Sequence, residues 1–166
     1  MTEREKSQTI RDVLTIREHH LPHWQLGGST YFVTFRSARG NLSTQAPTIL
    51  QEHLHQGDGH RYDIAIGVLM PDHVHLLIRP REASPGVWHD LSEIMQSIKG
   101  ASARRINQAL GTKGTLWQKE SHDRIVRDEA EFEEKTEYIY WNPRRAGIVE
   151  DPDDYPFFVF SRECRR

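Results

Sequence analysis

Residues 62–78 read YDIAIGVLMPDHVHLLI. Two apolar, β-rich segments, Tyr62 to Met70 and His73 to Ile78, flank Pro71 and Asp72. β-Branched and aromatic residues suit a pleated surface, and a proline–aspartate pair favours a tight reversal, so the stretch predicts a hairpin. Within the second segment His73 and His75 stand two residues apart. Side chains alternate along a strand, so both imidazoles project to one face with their Cα atoms about 6–7 Å apart, within reach of a single ion. Val74 and Leu77 are expected on the other face, beneath helices, which leaves the histidine face open or polar. Taken alone, the pair is equally well read as two half-exposed strand histidines.

Upstream, STYFVTFR at 29–36, closed by SARGN, predicts a first strand, and Ala46 to about Gln56 predicts a helix with Ile49, Leu50 and Leu54 on one face, stopped by GDGH at 57–60. Downstream, apolar residues at Val87, Leu91, Ile94, Met95, Ile98, Ala101 and Ile106 recur every three to four positions before Gly111, predicting a long helix from Val87 to about Leu110. Short strands are expected at Thr115 to Trp117 and near Arg124 to Arg127. A final helix runs from Glu129 to Trp141, and Pro143 should end it with Asn142 at its edge, because the residue before a proline is pushed out of the helical region. The order strand, helix, hairpin, helix, strand, helix predicts an α+β domain: a ferredoxin-like antiparallel sheet with helices packed on one face.

The bulk properties agree with such a domain. The chain has 166 residues, enough to bury a core, and no repeat or low-complexity linker divides it, so one domain over 1–166 is expected, with a polar leader at 1–20 and an extension at 150–166. No apolar run approaches the roughly 20 residues that span a bilayer, and the charged first residues lack the pattern of a secretory signal, so a cytoplasmic protein is expected. The single cysteine, Cys164, excludes an internal disulfide and a multi-cysteine zinc site. A net charge of −2 runs against phosphate binding, but it is unevenly spread: acidic residues gather in DEAEFEE at 128–134, while Lys99, Arg104, Arg105, Lys113, Arg144 and Arg145 lie elsewhere.

Tyr138 and Asn142 are four apart on the last predicted helix and so share a face. Tyr138 also reads as a core aromatic among Ile139, Tyr140 and Trp141, and Asn142 as a helix stop. Here the motifs add up. MPDHVHLLI at 70–78, LWQKESHDRIVRDE at 116–129, YIYWNPRRAGIV at 138–149 and the opening LPHWQLGGSTYFVTFRS at 21–37 resemble the IS200-like tyrosine transposases, and among them the REP-associated tyrosine transposases of bacteria. The likeness covers roughly residues 20–149. Ser121 and Arg144 depart from it, standing where relatives often carry an aromatic and a valine.

The resemblance implies a fold of the HUH nuclease type, with His73 and His75 as the metal-binding pair, Asn142 completing the metal shell and Tyr138 as the nucleophile. It further implies magnesium or manganese as cofactor, a 5′-phosphotyrosine intermediate, and single-stranded DNA bearing REP-like hairpins as partner, in a nucleoid-associated monomer, with a dimer as the alternative. Tyr140 is the rival nucleophile. Candidate DNA contacts are Lys99, Arg104, Arg105, Arg144 and Arg145, with Trp24, Tyr31 and Trp117 available to stack bases. Two other readings stay open: a catalytically silent hairpin-binding regulator, and a metal-dependent hydrolase in which Tyr138 is structural.

Overall fold

The computed structural model describes residues 28–161. The leader at 1–20, Trp24 and Cys164 lie outside them. Five strands form one antiparallel sheet: β1 (Tyr31–Ser37), β2 (Tyr62–Leu69), β3 (His73–Pro80), β6 (Trp117–Ile125) and β7 (Phe158–Phe160), in the order β6-β1-β3-β2-β7. Helix α1 (Ala46–Gly57) connects β1 to β2, and α2 (Leu91–Leu110) connects the β2–β3 hairpin to β6, which is the ferredoxin-like arrangement expected. The hairpin closes through Pro71 and Asp72, with the Met70 amide donating to the His73 carbonyl at 2.8 Å.

Two apolar layers flank the sheet. Leu50 and Leu54 of α1, with Ile94, Ile98 and Ile106 of α2, pack on Val33, Phe35, Val74, Leu76 and Ile78. Each such side chain, once buried, contributes about 1.5–3 kcal/mol. Helix α3 (Glu129–Arg145) covers the opposite face, where Phe132 and Ile139 meet Ile66, Val68 and Leu77, so helices flank both faces of the sheet and not the one face expected. The central strands need cover on both sides because they are apolar on both. A bulge between Ile64 and Ile66 lets the run IAIGVL serve each layer, since Ile64 joins the α1/α2 side and Ile66 the α3 side. At Gly67, opposite Leu76, a Cβ would lie 2.5 Å from the leucine side chain, so any larger residue there would force the buried Leu76 to move.

Several expectations shift. Leu77 lies with the histidines, not opposite them, because positions 73, 75 and 77 share the strand's parity, and Val74 alone of the pair faces α1 and α2. The long helix begins at Leu91, where the Asp90 carboxylate accepts from the Ser92 and Glu93 amides. Pro85 and Gly86 instead turn a small hairpin, β4 (Glu82–Ser84) with β5 (Val87–Trp88). The two short strands expected after α2 are one nine-residue edge strand, β6, whose mostly exposed polar side chains gave no alternation to read. Pro143 lies inside α3, which runs to Arg145 and ends in a left-handed Gly147: the Gly147 amide donates to Arg144 and the Ile148 amide to Pro143. Asn142 is therefore helical.

Candidate active site

Strand β3 presents His73 and His75 with ring centroids 4.7 Å apart and nearly perpendicular. The α3 helix lays Tyr138 against them, its ring 5.3 Å from that of His75 and 5.9 Å from that of Phe32. Phe32 stacks on His75 in turn, at 5.5 Å. The α3 face that carries Ile139 into the core fixes this placement, and Tyr138 stays 36% exposed at the edge of the packed layer. Asn142 is buried one turn on along the helix. Tyr140 is engaged elsewhere: its hydroxyl donates to Asp153 at 2.7 Å, and burial followed by that hydrogen bond pushes its phenol well above the ordinary value.

Each histidine is held at Nδ1. That of His73 lies 2.6 Å from an Asp72 carboxylate oxygen, and that of His75 lies 2.7 Å from Thr34 Oγ1. Burial, then the neighbouring His73 and Arg36, push the His75 imidazole down to about 3, so it is neutral near pH 7. A neutral ring engaged at Nδ1 has Nε2 left to offer, which is how metal-ligating histidines are commonly held. Among the described residues no three His, Cys, Asp or Glu side chains cluster, and the Asn142 amide is a buried oxygen donor on the tyrosine's helix. The donor set fits a borderline or hard divalent ion.

The basic residues divide. Arg145 places its guanidinium carbon 5.5 Å from the Tyr138 ring centroid, and Arg144 sits 5.4 Å from that of Trp141. Lys135 lies over Phe32 at 5.5 Å. Lys99, Arg104 and Arg105, by contrast, belong to α2 on the far face. Lys99 donates to the Lys119 carbonyl and Ser121, and Arg105 pairs with Glu52 at 3.2 Å. Trp117 is core, its indole donating to Ser102, and Tyr31 packs against the same layer. Sequence reasoning missed Thr34, Arg36 and Asp72. The alternation of Thr34 and Arg36 in STYFVTFR marked them as one face of a strand, but nothing local said which strand it would meet.

No helix among the described residues is long and apolar enough to cross a membrane. The profile of the family described as "Transposase IS200 like" matches residues 36–141, which include both histidines and Tyr138. A REP-associated tyrosine transposase of Escherichia coli K12 is 28% identical over 142 residues, covering 84% of this chain and 81% of the relative. A solved structure of a REP-associated tyrosine transposase bound to a REP hairpin superposes with a TM-score of 0.63 at 26% identity, covering 84% of this chain and 81% of that one. With its profile match spanning well over half of the sequence, this chain belongs to the IS200-like transposase family.

Proposed function

We propose that this chain cuts and rejoins single-stranded DNA beside hairpin repeats, with Tyr138 as nucleophile and a magnesium or manganese ion held by His73, His75 and Asn142. The observation that carries the reading is the meeting of Tyr138, from α3, with the histidine pair of β3, elements far apart in the chain. The relative of known structure binds a REP hairpin, and that supports the same class of partner here.

The Tyr138 oxygen attacks the scissile phosphorus, the bond to the 3′ oxygen breaks, and the phenolic proton ends on that departing oxygen. The products are a 5′-phosphotyrosine and a free 3′-hydroxyl. Bond energy is kept, so another 3′-hydroxyl reverses the step and joins strands. When bound, the ion would polarise the non-bridging phosphate oxygens and offset the negative charge that develops on them. Two imidazoles and an amide carry no charge of their own, so they leave the ion's charge undiminished. His75, kept neutral by its burial, is suited to this from the outset. Phe32 and Ile139 hold the tyrosine ring and helix in register, and Arg145 puts a cation beside the attacking group. Tyr138 and the histidine pair meet within one chain, which supports a site complete in a monomer.

The test is incubation of the wild-type protein and Tyr138→Phe with end-labelled single-stranded hairpin repeats and manganese, resolved on a denaturing gel. A covalent protein–DNA band is expected from the wild type alone and should vanish with chelator. Cleavage that persists in Tyr138→Phe would move the nucleophile or favour a hydrolase, and binding without cleavage by the wild type would favour a hairpin-binding regulator.

A further inference from the structure

Strand β1 lies directly beside the histidine strand, and its register pairs Thr34 with His75 and Arg36 with His73. Thr34 reaches His75 itself, its Oγ1 2.7 Å from Nδ1. Arg36 acts through the turn: its Nη1 lies 3.5 Å from one Asp72 carboxylate oxygen, while the other oxygen lies 2.6 Å from His73 Nδ1. The turn that carries Asp72 is tied down as well. The Ser37 amide donates to the Asp72 carbonyl at 2.8 Å, and the Leu42 amide to that of Pro71 at 2.7 Å. Asp72 is thus a clamped carboxylate, not a loose one at a hairpin tip.

The nitrogen that carries the proton in a neutral imidazole is set by the hydrogen bond its ring makes. A carboxylate has no proton to give, so His73 must donate from Nδ1. Thr34 Oγ1 can accept from His75 in the same way, with its own proton free to turn toward the open β6 side, where His122 stands opposite in register. We infer that Thr34 and Asp72 are positioning residues that hold His75 and His73 as Nδ1–H tautomers, so that both Nε2 lone pairs are available to one divalent ion. The inference rests on the metal reading proposed above and names what prepares the histidines for it. The two supports differ in charge: Asp72 is a carboxylate salt-bridged to Arg36, whereas Thr34 is neutral.

Two measurements on the full chain test it. Ring-nitrogen correlation spectra of 15N-labelled protein report each tautomer without metal, and manganese titration followed by electron paramagnetic resonance reports affinity without DNA. Wild type should show both rings protonated at Nδ1. Thr34→Val, which keeps the shape and removes the hydroxyl, should move His75 toward the Nε2–H form and weaken manganese binding by roughly tenfold to a hundredfold, and Thr34→Ser should restore both. Asp72→Ala should do the same at His73. Tautomers insensitive to these changes, with manganese bound and still lost in His75→Ala, would overturn the positioning role alone. A wild-type protein that binds no manganese would overturn the metal reading, and with it the purpose assigned to these residues, even with both tautomers as expected.

Discussion

Tyr138 and Tyr140 stand two positions apart on one helix, and their hydroxyls meet opposite surroundings. Tyr140 is locked to Asp153, whereas Tyr138 borders the histidines with its edge exposed. Tyr140→Phe should therefore lower stability by about 1 kcal/mol, the usual net value of one hydrogen bond, and leave covalent adduct formation unchanged. Tyr138→Phe should do the reverse: abolish the adduct and shift stability by no more than about 0.5 kcal/mol, as for a surface change. Urea unfolding and the denaturing gel, run on the same samples, separate the two. The sequence could favour Tyr138 because its partner four residues on is Asn142, while that of Tyr140 is Arg144. It could not reveal Thr34 or Asp72 as supports of the histidines, because that contact depends on which strand β3 adopts as neighbour, a choice made by the whole sheet.

Helix α3 shows how elements carry the site. Its start is pinned by Asp128, which accepts from the Glu131 amide, and by Glu131, a 6% exposed carboxylate that accepts from the Arg127 amide and pairs with the Arg127 and Arg124 guanidiniums. The Arg127 amide and guanidinium, more than the opposing cost of burial, hold the Glu131 carboxyl below its usual range. A carboxyl lowered on folding contributes stability that is complete above its unfolded value, near 4.5, and is lost as pH falls through the folded value. Unfolding midpoints measured downward from pH 6 should thus fall less steeply in Glu131→Gln than in wild type, the gap closing toward acid. The far end is pinned by Gly147, at φ +70 with open space where a Cβ would go. Gly147→Ala should cost about 1–2 kcal/mol from backbone strain alone, read as a lower urea midpoint. Pro143 misled the reading of this end, since a proline rule says where a helix tends to stop and the αL glycine says where this one does. Strand β6 shows in the sequence only as two fragments for a related reason: an exposed edge strand has little apolar pattern to display.

At the scale of the molecule, the sheet separates two sets of cations that the linear sequence could not tell apart. The hairpin, the two crossover helices and the order of elements were legible because each depends on local period and turn chemistry. Which helix covers which face was not, because that follows from the bulge between Ile64 and Ile66 and the parity of β3. Arg144 and Arg145 belong to the tyrosine helix, whereas Lys99, Arg104 and Arg105 lie across the sheet on α2. The net charge of −2 is no obstacle to DNA binding if the binding face alone is cationic, because counterion release depends on the phosphates neutralised locally. Each phosphate contact on a single strand contributes about 0.7 to the slope of log affinity against log salt. For a strand without a hairpin, replacing Arg144 and Arg145 together by alanine should therefore flatten that slope by about 1.4, while Arg104→Ala with Arg105→Ala should leave it as in wild type. The same pair of experiments on a hairpin-bearing strand then locates the duplex: a flatter slope for the Arg104 and Arg105 substitutions there would carry the stem around the sheet onto α2, and an unchanged slope would confine the whole substrate to the side of Tyr138.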